Sequence, residues 1–377
     1  MALSKIDVAN MVTGIIPNDS TIRRKYSQPL ILNGDMSVSQ RGTSFSPSGA
    51  GTIYTIDRYS YDVTGSGTGD ATITQESDAP ASTNLRKSLK ISPDATETLS
   101  SGENIAFATP LEGQNVQVLG HGTSSPPKAT LSFWVKSSKT GTYCVQIKEE
   151  TIDDESYLLY EYSISSANTW EQKIFTWTGN TAHTLNSNNT MGFRIVWHLA
   201  VHSDDHASAT TSWTESTAFK ATSNQVNFFD STSNDWYLTG VQLEIGEYTS
   251  STLPPFQHES FGVNLERCQR YFFKRGGVSR LGFGVGAAHT TGSINGIAVY
   301  YPTIMRATPT QSQSASTEFY ITGSGQNQTA QSDTFGNEGI SKFGVSLSAT
   351  GSSLTQGYAY WLNTIDTDGY IEWSAEL

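Results

Sequence analysis

Residues 129–137 read Ala-Thr-Leu-Ser-Phe-Trp-Val-Lys-Ser, and this stretch does most to decide the fold class. Leu131, Phe133 and Val135 occupy every second position, so their apolar side chains fall on one face of an extended chain. A period of two is typical of a β-strand that packs one face on a core. The stretch therefore predicts such a strand.

Similar short stretches recur along most of the chain, separated by Gly, Ser, Asn and Thr. Regular short strands with turn residues between them indicate a sandwich or jelly roll. We therefore predict an all-β chain, with a jelly-roll β-sandwich followed by a smaller C-terminal β-sandwich. The further predicted strands are 53–58, 59–63, 142–149, 170–177, 191–199, 236–245, 281–285, 293–301, 317–321, 344–347, 358–362 and 370–375.

The same pattern divides the chain into four parts. Residues 1–28 are too few to bury a core and are interpreted as an N-terminal attachment segment with one short amphipathic helix. The jelly roll is predicted over 29–255 and the C-terminal sandwich over 270–377. A connector over 256–269 has apolar residues at helical spacing and favours a short helix.

Composition excludes several classes of protein. Charged residues make up only 15% of the chain, and the net charge of −12 argues against a nucleic-acid partner. The two cysteines, Cys144 and Cys268, are too few and too far apart for a disulfide scaffold. No signal peptide and no run of about 18 apolar residues is present, so we expect synthesis in a cytoplasm and no membrane insertion.

No established catalytic motif is present, so we predict that the chain is not an enzyme. The acidic run 149–155 invites a glycosidase interpretation, since paired carboxyl groups hydrolyse glycosides. A charge run this dense is more typical of an exposed loop, in which calcium binding is the more plausible chemistry.

Three of the seven histidines, His198, His202 and His206, lie close together beside two aspartates. Their spacing permits a transition-metal site. A polar strand end followed by a solvated loop explains the pattern as well, and we favour that interpretation.

Aromatic side chains are the more credible binding groups, because sugars stack their apolar faces on such rings. The candidates for glycan binding are Trp213, Trp236, Tyr237, Tyr157 and Tyr160. For any single one of them, a place in the core is the competing interpretation.

Several stretches resemble the tail-fibre and receptor-binding structural proteins of tailed bacteriophages, whose domains include a jelly roll similar to carbohydrate-binding modules. They occur in the expected order and are 33–45 (NGDMSVSQRGTSF), 54–59 (YTIDRY), 131–137 (LSFWVKS), 236–246 (WYLTGVQLEIG), 256–261 (FQHESF), 268–272 (CQRYF) and 301–310 (YPTIMRATPT).

The resemblance implies a structural protein of the virion tail that assembles as a homotrimer. Residues 1–28 would attach it to a tail or adaptor protein, and its outer domains would contact a host surface glycan or lipopolysaccharide. We expect no cofactor other than a structural calcium ion, for which the matching positions are Asn33, Asp35 and Glu244. Thr239-Gly240 stands where an Asp-Asp pair is common in such modules.

Two alternatives remain open. A head fibre or tail adaptor protein without receptor contact would use the same fold. A polysaccharide-degrading enzyme would need a buried pair of carboxyl groups, which the sequence does not single out. Trimer formation has a physical rationale, because neighbouring copies would cover the exposed edges of each sandwich.

Overall fold

The computed structural model describes residues 28–150, 155–216, 219–323, 326–329 and 335–377, and every structural statement below refers to these ranges. Strands make up 46% of the structure and helices 7%, which confirms the all-β prediction. The attachment segment expected over 1–28 lies outside the described residues except for Gln28. None of the helices in these ranges combines the length and apolar character needed to cross a membrane.

Thirteen strands form the first sandwich. They are β1 (Ser44–Phe45), β2 (Gly51–Tyr54), β3 (Ser60–Thr64), β4 (Ala71–Glu76), β5 (Ser88–Pro93), β6 (Asn104–Glu112), β7 (Lys128–Ser137), β8 (Gly141–Glu150), β9 (Glu155–Ile164), β10 (Glu171–Thr178), β11 (Met191–Val201), β12 (Thr210–Glu215) and β13 (Trp236–Ile245).

These strands pair into two antiparallel sheets. The six-stranded sheet has the order β1-β4-β5-β13-β7-β10, and the seven-stranded sheet has the order β12-β9-β8-β11-β6-β3-β2. Consecutive strands cross repeatedly between the two sheets, which is the connectivity expected of a jelly roll. The inner faces enclose one hydrophobic core, to which β7 contributes Leu131, Phe133 and Val135, as its alternation predicted.

Some strands of this sandwich differ from the prediction. The predicted strand over 53–58 ends at Tyr54, because a tight turn follows in which Arg58 has a left-handed backbone (φ 72°). The sequence pattern also did not predict β1, β4, β5, β6, β9 and β12. Most side chains of β6 are buried on both faces, so the strand lacks the apolar–polar alternation by which a half-exposed strand is found.

The connector contains helix α1 (Phe261–Gln269), whose first turn is capped by the Ser260 side chain accepting from Val263 N. The helix packs on the turn after Gln28. Asn264 Nδ2 donates to Ser37 Oγ at 3.1 Å, and an Arg267 guanidinium nitrogen donates to the Pro29 carbonyl at 2.8 Å. The helix therefore contacts the start of the first sandwich and leads directly into the first strand of the second.

Ten further strands form the second sandwich. They are β14 (Phe272–Gly276), β15 (Gly282–Thr290), β16 (Ser293–Tyr300), β17 (Thr310–Gln313), β18 (Phe319–Gly323), β19 (Gln326–Thr329), β20 (Gly336–Asn337), β21 (Gly344–Thr350), β22 (Ala359–Thr364) and β23 (Tyr370–Ser374). A three-stranded sheet, β14-β23-β17, faces a seven-stranded sheet, β19-β18-β22-β15-β16-β21-β20. Their facing sides enclose a separate hydrophobic core.

Buried charges join the two sandwiches. Arg58 is fully buried, pairs with Glu376 and donates to the Pro110 carbonyl at 2.8 Å, while its guanidinium lies 3.5 Å from the Tyr271 ring centroid. Burial opposes this charge, but the Glu376 carboxylate raises the pKa of Arg58 above its ordinary value. The interface is therefore held by complementary charge as well as by the covalent connector.

Candidate functional site

A concave cleft of about 480 Å³ lies on the outer face of the six-stranded sheet. It is lined by Ala81, Ser82, Thr83, Asn84, Leu85, Trp134, Gln172, Gly240, Gln242, Ser250, Leu253, Pro254, Pro255, Phe256 and His258. The floor comes from three adjacent strands, and the walls come from the loop 81–85 and the segment 250–258 that follows β13. Its volume lies in the range of about 300–1,000 Å³ typical of ligand sites.

The side chains on the floor of the cleft point outward because side chains alternate along a strand. Because Phe133 and Val135 face the core, the intervening Trp134 points outward and is half-buried. The register places Gln172 of β10 directly opposite Trp134 on one side and Thr239 of β13 on the other. An indole ring and an amide are thus neighbours on one surface.

A bulge in β13 makes room beside this indole. The register of β13 with β7 shifts between Thr239 and Gln242, and Gly240 within the shift has a left-handed backbone (φ 60°). A Cβ atom at Gly240 would stand 2.7 Å from Leu85 Cδ1 and 3.0 Å from Trp134 Cδ1. Glycine is therefore required here both for the backbone conformation and for the space.

Two glutamine amides are held in position on the floor. Gln172 Nε2 donates to Ser132 Oγ at 3.0 Å, and Gln242 Nε2 donates to the Pro254 carbonyl at 2.9 Å and to Glu244 Oε1 at 3.2 Å. An amide also offers its carbonyl oxygen as an acceptor. Oriented amides beside an aromatic ring are groups that can bind the hydroxyls of a saccharide whose apolar face stacks on the ring.

A second aromatic group lies on the same outer face, next to the cleft. Lys136 Nζ is 3.9 Å from the Tyr237 ring centroid and 5.3 Å from that of Trp170, and it pairs with Asp78. Trp170 Nε1 also donates to Asp78 Oδ1, at 3.0 Å. The face of Tyr237 is therefore partly occupied by the protein's own ammonium group.

The structure corrects two of the predicted glycan-binding residues. The Trp236 side chain is fully buried in the core, 6.3 Å from the Phe107 ring, because it sits on the inward face of β13. Tyr157 is buried in a small cluster on the other sheet. Neither ring is accessible to a sugar.

Of the remaining three candidates, only Tyr237 lies beside the cleft. Trp213 is half-buried, donates from Nε1 to the Thr178 carbonyl at 2.8 Å and packs against His121. Tyr160 is half-buried against the Phe175 ring, 5.0 Å away. Neither residue is among those that line the cleft.

The three histidines do not converge. His198 is fully buried with Nδ1 2.9 Å from Asn104 Oδ1, whereas His202 accepts from Asp204 N and His206 Nε2 lies 3.2 Å from the Val201 carbonyl. Within the described ranges, the one group of three His, Cys, Asp or Glu side chains with converging ligand atoms is Glu318, Asp366 and Asp368. The hypothesis of a three-histidine metal site is therefore not supported by this geometry.

The predicted calcium positions are engaged in local hydrogen bonds. Asn33 donates to the Val38 and Asp57 carbonyls, both at 2.9 Å, and accepts from Val38 N. Asp35 Oδ1 accepts from Ser37 Oγ at 2.9 Å, and Glu244 Oε1 accepts from Gln242. These contacts give Asn33 and Asp35 a role in shaping the turn under helix α1, and calcium binding remains a prediction.

The described residues of the acidic run 149–155 belong to strands: Glu149 and Glu150 end β8, and Glu155 begins β9. Residues 151–154 lie outside the described residues, but Glu149 is fully buried within β8. Its carboxylate lies 2.5 Å from His121 Nδ1 and accepts from Asn180 Nδ2. Hydrogen-bonded partners compensate for the burial of this charge.

Three side chains of the cleft were not among the binding residues predicted from the sequence: Trp134, Gln172 and Gln242. The alternation in 129–137 was a usable signal for Trp134, because an aromatic ring between two inward apolar residues must face outward. Gln172 and Gln242 carried no such signal, since their approach to Trp134 depends on strand pairing.

No protein-family model matches the sequence, and a search of curated proteins finds no match. Solved structures with similar folds include a tailspike protein 4 domain of bacteriophage CBA120 (TM-score 0.30, 13% identity, 58% of this chain and 21% of that chain). They also include a family 11 carbohydrate-binding module from Clostridium thermocellum in complex with a mixed-linked tetrasaccharide (TM-score 0.28, 12% identity, 54% of this chain and 100% of that chain). A third is the N-terminal cellulose-binding domain of a Cellulomonas fimi β-1,4-glucanase (TM-score 0.30, 9% identity, 59% of this chain and 100% of that chain). Similarity at this level does not bear on what this chain binds.

Proposed function

We propose that this protein binds glycans through the cleft on the outer face of its six-stranded sheet, as a component of a phage particle. The observation that carries the proposal is the juxtaposition of an outward indole, Trp134, with the oriented amides of Gln172 and Gln242 in one cavity. The walls from two loops give the cavity the depth to surround a sugar unit.

The chemistry of the cleft favours binding over hydrolysis. None of its lining residues in the described ranges is Asp or Glu, whereas glycosidases use a pair of carboxyl groups across the scissile bond. We propose that the protein holds its glycan without turnover. Incubation with host surface polysaccharide is expected to leave its chain length unchanged, and the appearance of shortened chains would contradict this.

The place of the protein in the particle is the finer part of the proposal. The resemblance to tail-fibre proteins supports a homotrimeric fibre attached to the tail by residues 1–28, with the two sandwiches outward. Cryo-electron microscopy of an intact particle tests this assignment, because density for the two sandwiches at the head would exclude a tail fibre.

Trp134→Ala tests the cleft directly. Loss of the stacking surface is expected to weaken glycan binding at least about tenfold, as measured on an array of surface glycans and by calorimetric titration of the best ligand. Phe261→Ala, which removes an aromatic ring that is 60% exposed outside the cleft, serves as the matched control. Equal binding by the Trp134→Ala variant and the unmodified protein would exclude this cleft.

A further inference from the structure

The outer face of the seven-stranded sheet in the second sandwich carries few charges. A carboxylate at its edge belongs to Glu338, which follows β20 and accepts from Asn295 Nδ2 of β16 at 2.9 Å. Its strands β15, β16 and β18 to β22 contain no Asp, Glu, Lys or Arg, although charged residues make up 15% of the whole chain. Charged side chains normally cover sheet faces that only meet water. A sheet face with so few charged side chains is typical of a surface that binds a partner.

Trp361 lies on β22, the third of the seven strands, and is 52% exposed. The register places it between Thr322 of β18 and Val285 of β15. Its neighbours along β22, Tyr360 and Leu362, point into the core, so the outward direction of the indole follows from alternation.

The Trp361 ring lies close to a glycine of the neighbouring strand. Gly282 is the diagonal neighbour of Trp361 on β15, and a Cβ atom there would stand 3.4 Å from Trp361 Cε3 and 3.5 Å from Cζ3. The six-membered part of the indole is therefore within van der Waals reach of a Cβ atom at Gly282, and a larger side chain there would meet the ring. One face of the ring is supported by the sheet while the side chain remains half exposed to solvent.

Polar groups stand beside the edge of the ring. Asn363 follows Trp361 on the same side of β22, and its Nδ2 donates to Thr322 Oγ1 at 2.9 Å. This bond orients the amide and uses one of its two N–H groups. Tyr320 lies opposite Asn363 in the register and is half-buried.

We propose that Trp361 is the stacking platform of a second glycan-binding site, which takes a neutral saccharide on the second sandwich. The supported indole accepts the apolar face of a sugar ring, and the Asn363 amide and Thr322 hydroxyl bind its hydroxyl groups. The strands of this face offer no Lys or Arg to an acidic sugar, and the Glu338 carboxylate would repel one, so the ligand class is uncharged. The site is separate from the cleft at Trp134 and does not depend on it.

The test uses the full chain with Trp134→Ala as the starting background, so that any remaining binding comes from outside the cleft. The probe is an array of neutral oligosaccharides of glucose, galactose, mannose and N-acetylglucosamine, with acidic oligosaccharides beside them. We expect residual binding to a neutral saccharide, and at least about tenfold weaker binding when Trp361→Ala is added. Phe343→Ala, which removes a 61% exposed ring from the same sandwich, should leave binding unchanged.

A second variant keeps the indole and removes its support. Gly282→Leu places a side chain under the ring and should lower binding as Trp361→Ala does, with unchanged circular dichroism. The proposal would be overturned if Trp361→Ala did not weaken binding to any oligosaccharide on the array. It would also be overturned by a Trp361→Ala protein that binds saccharides normally but has a lower mass in light scattering, because the face would then be a contact between copies. If Trp134→Ala leaves glycan binding unchanged and Trp361→Ala weakens it, the proposal for the cleft is contradicted and the proposal for the Trp361 site is supported.

Discussion

His198 is fully buried in β11, where Nδ1 lies 2.9 Å from Asn104 Oδ1. Burial, and then the charges of Lys220 and Arg194, lower the pKa of His198 from 6.5 to about 3. The ring is therefore neutral in the folded protein down to low pH. It belongs to the structure of the first sandwich and not to a metal site that needs an accessible ligand.

This histidine should make stability depend on pH. Because its folded pKa is below its unfolded one, its contribution is complete above pH 6.5 and is lost as pH falls toward 3. The expected slope from this one group is about 1.4 kcal/mol per pH unit. Urea unfolding of His198→Gln between pH 7 and pH 4 should show a shallower loss than the unmodified protein. The exposed His289→Gln variant serves as the control, and equal slopes for His198→Gln and the unmodified protein would contradict the assignment.

At the scale of elements, the bulge of β13 shapes the cleft. Two strands of the floor, β7 and β10, pair in regular register, whereas β13 is interrupted between Thr239 and Gln242. The interruption places Gly240 against Leu85 and Trp134 and carries Gln242 to its contact with the Pro254 carbonyl. A regular strand would put a side chain where the cleft now lies.

Gly240→Ala should therefore damage both stability and binding. A left-handed alanine costs about 1–2 kcal/mol, and the added methyl group meets Leu85 and Trp134. We expect a lower free energy of unfolding in urea and weaker glycan binding. Gly262→Ala is the control, and we expect it to raise stability where Gly240→Ala lowers it. Gly262 is an exposed helical glycine with no atom within 4 Å of a Cβ position. The substitution should stabilise the protein by about 0.5 kcal/mol. A neutral effect of Gly240→Ala would show that the bulge is not needed.

At the scale of the whole molecule, ion pairs between the two sandwiches hold the two domains together. Glu376 near the C-terminus pairs with both Arg41 and Arg58 of the first sandwich. Arg270 binds Glu112 through two hydrogen bonds of 2.8 and 2.9 Å. Both candidate glycan sites thus sit on one body, and a surface that engages both would bind with higher avidity than either site alone.

Glu376→Ala should uncouple the two sandwiches. It leaves the Arg58 guanidinium buried without its carboxylate, a change that costs about 3–5 kcal/mol in buried pairs. Differential scanning calorimetry should show one transition for the unmodified protein and a lower, divided transition for the variant. Glu266→Ala, which removes an exposed carboxylate from helix α1, should leave the trace unchanged. A single unshifted transition for Glu376→Ala would mean that the ion pairs do not couple the domains.

The proposed homotrimer is also a property of the whole molecule, and its mass can be measured. Light scattering coupled to size exclusion should give a mass three times the 40.9 kDa of one chain. A mass of one chain across micromolar concentrations would contradict the fibre proposal, but would leave the glycan-binding proposal open to its own test.

The all-β class and the inward or outward direction of side chains in single strands could be predicted from the residues alone, because alternation is a local property of an extended chain. Leu131, Phe133 and Val135 faced the core as predicted, and Trp134 consequently faced out. Strands buried on both faces, such as β6, escaped detection because their local pattern does not alternate. The direction of single aromatic side chains in β13 was also misjudged, since Trp236 and Tyr237 are adjacent and only one of them can face the cleft.

Which residues share a site depends on how distant strands pair, and this became visible in the folded chain. Trp134, Gln172 and Gln242 come together because β7 pairs with β10 on one side and β13 on the other, across long sequence separations. The same holds for Trp361 on Gly282, and for Arg58 with Glu376 at opposite ends of the chain. The hydrophobic pattern and the turns constrain register within a hairpin, but the pairing of strands that are distant in the sequence depends on the packing of the whole core.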